Sequence, residues 1–133
     1  ALVTPIRLYS LASLRSAGTP VSRAALDAVP HRGAALFRQH CAGCHGRYGE
    51  GDGPMAGHQA VVLKDLRGLT QRNQGEFPRA FARQIIDGRD TRWLHGPQGK
   101  PVWGEIFSSH GQGPVAAADT IEALLDYLEA VQR

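Results

Sequence analysis

Cys41-Ala42-Gly43-Cys44-His45 sets two thiols three residues apart, with an imidazole directly after the second. The stretch before it, Arg32 to His40, is patterned as a helix, with Gly33 and Phe37 at i, i+4 spacing and Ala35, Leu36 and His40 beside them. The stretch after it, Gly46 to Gly57, is a loop in which Gly49, Gly51 and Gly53 bracket Glu50 and Asp52 ahead of Pro54. These are the only two cysteines in the chain, too few for a disulfide framework.

Outward from that pentapeptide, helical patterns recur and strand alternation never persists. Thr19-Pro20 fits an N-cap and first helical position, with Ser22 to Val29 as the helix and Pro30 ending it. A short helix is expected near Leu63 to Leu69. Phe77-Pro78 opens a better one from Arg79 to Asp87, with Phe81, Ile85 and Ile86 on one face and Gly88 as its C-terminal cap. Residues 89–104 read as a second long loop that holds His95, Lys100 and both tryptophans. The last helix has Asp119 as N-cap and Glu122 three residues on, followed by an apolar stripe of Ile121, Leu124, Leu125, Leu128 and Val131. Residues 1–18 read as an extended arm. The fold class is therefore all-α with long loops, which suits 16 glycines and eight prolines.

The chain has 133 residues and 14.3 kDa, enough for one domain. A hydrophobic fraction of 42% supports a core, while no apolar stretch reaches the roughly 18 residues of a membrane span. A net charge of +3 with no run of Lys or Arg argues against nucleic-acid binding. Ala1 to Leu14 lacks the charged-then-apolar layout of a signal peptide, so any such peptide is expected to have been removed already.

Two thiols and a histidine at this spacing match covalent attachment of one haem c: both cysteines add to the porphyrin vinyl groups, and His45 lies under the iron as proximal ligand. A thioredoxin-like pair needs a βαβ setting that is missing here. A zinc site needs a second ligand pair, and no two of His58, His95 and His110 stand close enough to supply it. An all-α domain with long glycine-rich loops also needs a large apolar object to wrap, and a haem is one.

Gly33-x-x-x-Phe37-x-x-x-Cys41-x-x-Cys44-His45-Gly46 resembles the first helix of class I cytochromes c. Leu124-x-x-Tyr127-Leu128 resembles their last helix, which crosses the first at the glycine and aromatic positions. Gly51-Asp52-Gly53-Pro54, Asp65-Leu66, Gly75-x-Phe77-Pro78, Ile86-x-Gly88, His95-Gly96 and Pro101-Val102-Trp103-Gly104 are similar to bacterial periplasmic monohaem members. The likeness covers about residues 32–131. It implies a cytochrome c fold over residues 31–133, with residues 1–30 as an N-terminal extension or docking arm. It also implies a periplasmic or secreted location and redox protein partners such as a dehydrogenase, an oxidase or another cytochrome.

The family writes Met-Pro-x-Trp-Gly where this chain has Lys100-Pro101-Val102-Trp103-Gly104, so the usual distal methionine is replaced by lysine. Met55, the single methionine, lies in another loop and reads as a packing residue. The sixth position is then open to Lys100 as a neutral amine, to His95, to His58 or His110, or to water. Removing the Lys100 proton at pH 7 costs about 4.6 kcal/mol from an ordinary pKa near 10.4, which an iron–nitrogen bond can offset. Two nitrogen ligands imply a lower potential than a nitrogen–thioether pair. Trp103 reads either as packing on the haem edge, indole toward a propionate, or as core. Pro54 and Gly46 are expected to shape the proximal side, and Arg89 and Arg92 to pair with propionates or with solvent. The expected function is single-electron transfer without catalysis. The rivals are a haem protein that binds small ligands or has peroxidatic activity, and the electron-accepting subunit of a dehydrogenase.

Overall fold

The computed structural model describes residues 22–28, 31–59, 62–89, 102–109 and 113–133. The extended arm of residues 1–18, Thr19-Pro20, Trp93, His95, Lys100 and His110 lie outside the described residues. The α-helices are α1 (Arg23–Ala28), α2 (Arg32–His40), α3 (Ala42–His45), α4 (Leu69–Arg72), α5 (Arg79–Asp87), α6 (Trp103–Ser109) and α7 (Gly113–Ala130). Among the described residues there is no strand, so the all-α class holds.

The C-terminal helix α7 is the central post, and α2, α5 and α6 all pack on it. Its stripe of Ala117, Ile121, Leu124, Leu125 and Leu128 is buried, as is Val131 just past its end. The crossing with α2 depends on Gly33. A Cβ there would fall on the Ala123 carbonyl oxygen and 2.9 Å from Tyr127 Cβ. One turn further on, Phe37, 1% exposed, meets the Tyr127 ring at 5.1 Å between centroids. The crossing through glycine and aromatic positions is thus the one that the resemblance implies.

The start of α2 is set by His31, whose extended backbone and Nδ1, accepting from the Gly33 N–H at 3.0 Å, cap the first turn. α5 ends as expected, with Gly88 left-handed at φ 73°. Its packing face differs from the expected one: Ala82 is the buried residue, Ile86 packs on the core, and Phe81 stays 54% exposed. Arg79 and Arg83 strap α5 to Glu122, Asp126 and Glu129 of α7.

Three other expectations are corrected. The helix placed near Leu63–Leu69 begins later, as a 3-10 turn at Leu66–Gly68 that leads into α4. Asp65 takes the Arg67 N–H on its side chain at 2.9 Å and so starts the helix after itself. Asp119 is not an N-cap: α7 begins six residues earlier at Gly113-Pro114, where proline suits a first turn and three alanines carry the helix forward. Finally, the loop expected over 89–104 gives way to α6 at Trp103. Seven residues are too few to be stable alone, and burial of Phe107 against α7 supplies the missing stabilisation.

The C-terminus is tied down by Gln132, 1% exposed, whose Oε1 accepts from the Thr70 N–H at 2.8 Å while Nε2 donates to the Leu66 and Leu128 carbonyls. Beside it Arg67 and Arg133 grip Asp65 at 2.6 and 2.8 Å. The Arg67 hydrogen bond holds the Asp65 carboxyl down at about 2, against an ordinary 3.8. Because the folded value lies below the unfolded one, this contribution is full above pH 3.8 and is lost as pH falls toward 2. Thermal melts across that window should show the native chain losing more stability than Asp65→Asn. Parallel losses in both would contradict the assignment.

Candidate haem site

α2 ends on Cys41, whose N–H still donates to the Phe37 carbonyl at 2.8 Å, and the chain re-enters a single helical turn, α3. Within that turn the His45 N–H donates to the Cys41 carbonyl at 2.9 Å and the Gly46 N–H to the Ala42 carbonyl at 2.9 Å. The two cysteines and His45 are therefore presented from one short helical turn fixed to the end of α2. All three are partly buried.

The open carbonyl end of α3 is closed by the glycine-rich loop. The Met55, Gly53 and Gly51 N–H groups donate to the carbonyls of Gly43, Cys44 and His45 at 2.8, 3.2 and 2.7 Å. Gly53 must be glycine for this approach, since a Cβ would come within 2.6 Å of the Ala42 and Cys44 carbonyl oxygens. The spacing of glycines in residues 49–53 thus has a specific purpose: it lets a loop lie flat on the end of the cysteine turn. Gly46 leaves the turn at φ 80° with Asp52 packed over it.

The segment before α2 buttresses the far side of the same turn. Leu26 of α1 is buried in the main core. Asp27 accepts from the Tyr48 hydroxyl at 2.6 Å, from Arg47 at 2.9 Å and from Arg38 at 3.2 Å. The Tyr48 hydroxyl and then the Arg47 guanidinium hold the Asp27 carboxyl below its usual range. Arg23 pairs with Glu50 and lies over the Tyr48 ring at 5.0 Å. Arg38, Arg47, Tyr48 and Asp27 belong to no motif in the sequence. Their partners are up to 21 residues apart, and no local spacing signals them.

The chemistry of the donor set fits a covalently held haem. The Cys41 thiol is pushed up to about 12 by burial and by its neighbour Cys44. It therefore stays a neutral sulfur in an apolar setting. The Gln59 side chain reaches Cys44 Sγ at 3.6 Å and the Met55 carbonyl at 3.3 Å. Two large apolar side chains stay about half exposed, Phe81 at 54% and Met55 at 49%. Among the described residues no group of three or more His, Cys, Asp or Glu is placed to hold a metal ion.

Trp103 stacks on Phe107 at 5.4 Å, and both are met edge-on by His40, the residue before Cys41, at 5.2 and 5.3 Å. Pro54 is exposed at the turn that follows Gly53, and His58 is exposed in a 3-10 turn. Arg89 pairs with Asp87. Lys100 and His95 lie outside the described residues.

A helical domain with a Cys-x-x-Cys-His turn clamped at both ends is the architecture of a covalent haem protein. The Cytochrome c family model matches residues 30–132, and the chain belongs to that family. It is a haem-binding electron-transfer cytochrome with haem c attached at Cys41 and Cys44. No curated protein and no solved structure matches the chain. No helix among the described residues is long and apolar enough to cross a membrane.

Proposed function

We propose that this cytochrome shuttles single electrons between periplasmic redox proteins, with His45 and Lys100 as axial ligands and a potential below that of methionine-ligated relatives. The observation that carries this reading is the rigid seat of the Cys41–His45 turn, held by Phe37 and α7 from one side and by residues 51–55 from the other. Haem c supplies a one-electron ferric/ferrous couple when bound. His45 would hold its proximal side, and the fixed backbone on both flanks limits how far that imidazole moves between oxidation states. Lys100, standing where the resemblance has methionine, would donate a neutral amine, and two nitrogen donors favour the ferric state. Trp103 and Pro54 are proposed to border the haem.

The domain proposed is residues 31–133, with residues 1–30 as an extension. Within that extension, α1 rests on the body through Leu26 and Asp27. Placement outside the cytoplasm is proposed because covalent haem attachment in this family implies it.

The test is a spectroelectrochemical titration of the purified holoprotein. A single Nernstian wave with one electron, unaltered by peroxide, is expected. Rapid peroxide turnover would favour the peroxidatic rival.

A further inference from the structure

The helix α1 precedes the residues that the family model matches, yet it is built into the side of the haem-attachment turn. Its six residues are too few for a helix that is stable alone. Ser22 starts it, with Oγ accepting from the Ala25 N–H at 3.1 Å, and Leu26, 4% exposed, holds it in the core. The next residue, Asp27, is thereby fixed in place.

Asp27 faces both flanks of the Cys41–His45 turn. Arg38, one helical turn before Cys41, donates to Asp27 Oδ1 at 3.2 Å. Arg47, two residues after His45, donates to the same oxygen at 2.9 Å. The Tyr48 hydroxyl donates to the other oxygen, Oδ2, at 2.6 Å. Beside this group Arg23 pairs with Glu50, and Arg67 with Glu50 and Asp65. One carboxylate therefore offsets two guanidiniums that the chain places within three residues of the attachment turn.

We propose that α1 is a charge clasp, through which Asp27 offsets Arg38 and Arg47 and so lowers the reduction potential of the attached haem. This rests on haem attachment at Cys41 and Cys44 and holds whichever residue occupies the sixth position. Reduction adds an electron to the haem, so uncompensated cations nearby favour the ferrous state and a carboxylate that offsets them favours the ferric. A unit charge about 10 Å away in watery surroundings changes such an equilibrium about twofold, and salt at about 1 M removes most of that. The Asp27 side chain is 36% exposed and that of Arg47 57%, and ion pairs so placed add little to global stability. Breaking them should therefore move the potential more than the folding.

The experiment is a redox titration of the holoprotein at low and at high salt for the native chain, Asp27→Asn, Asp27→Glu and Arg38→Gln, with a thermal melt of each. At low salt Asp27→Asn should raise the reduced-to-oxidised ratio at fixed ambient potential about twofold, or about 18 mV at 59 mV per tenfold. That shift should shrink as salt is raised. Asp27→Glu, which keeps the charge, should return the native value. Arg38→Gln removes a cation and should shift the ratio the opposite way, toward ferric. No shift at low salt in either Asp27→Asn or Arg38→Gln overturns the proposal. A shift in Asp27→Asn that is equally large at high salt also overturns it, since it marks a displaced turn and not a charge. Should Asp27→Asn fail to fold, the sign in Arg38→Gln decides: a shift toward ferric upholds the clasp, and any other result overturns it.

Discussion

Replacing Lys100 by alanine should abolish the low-spin ferric spectrum at neutral pH, and replacing it by methionine should restore a low-spin form with a higher potential. The first change removes the proposed nitrogen donor and leaves water or an exogenous ligand in its place. The second exchanges a donor that favours ferric iron for a thioether that favours ferrous iron. Axial ligand identity spans about 0.8 V across haem proteins, so a rise on the order of 100 mV is a modest share of that range. A rise of that size would change the oxidised-to-reduced ratio about fiftyfold at fixed ambient potential, because tenfold corresponds to 59 mV for one electron. Absorption spectra and a redox titration of the two variants measure both effects. An unchanged low-spin spectrum in Lys100→Ala would move the ligand to His95 or another residue.

Gly33→Val is expected to be the most damaging single change in the body of the fold. At Gly33 the α2 backbone lies against the Ala123 carbonyl and Tyr127 Cβ of α7. The obstructing atom is backbone, so no rotamer change makes room, and the helices must separate. Separation also opens the Phe37–Tyr127 contact, which directly supports the cysteine turn one step further along the chain. Overpacking of this kind costs about 3 kcal/mol, or a Tm lower by about 10 °C in a chain of this size. Circular dichroism melts of the holoprotein measure it. A Tm within 2 °C or so of the native value would mean that α2 and α7 do not depend on this close approach.

Much of the fold could be read from residues whose reasons are local. The Arg32–His40 and Arg79–Asp87 helices carry their own periodicity, and Gly88 ends the second of them because a left-handed cap requires glycine. The cysteine turn is legible because the chemistry of haem attachment fixes its spacing. What could not be read has non-local causes. α6 exists because Phe107 is buried against α7 and Trp103 meets His40, contacts spanning more than sixty residues of sequence in the latter case. Asp119 resembles an N-cap by its own neighbours, yet the alanines before it extend α7 by six residues. Phe81 fits the helical stripe of α5 but stays half open, since Ala82 is small enough to bring α5 close to α7. The buttress built by Asp27 on Arg38, Arg47 and Tyr48 had no sequence signal for the same reason: its parts meet only after folding.

Near-infrared magnetic circular dichroism of the ferric holoprotein at neutral pH bears most directly on the central claim, a haem c carrier ligated by two nitrogens through His45 and Lys100. Its charge-transfer band separates amine, imidazole and thioether ligands and also reveals high-spin iron. A low-spin band of the amine type is the predicted result. A high-spin band would contradict it, because an open sixth position would mean ligand binding or peroxide chemistry instead of simple electron transfer.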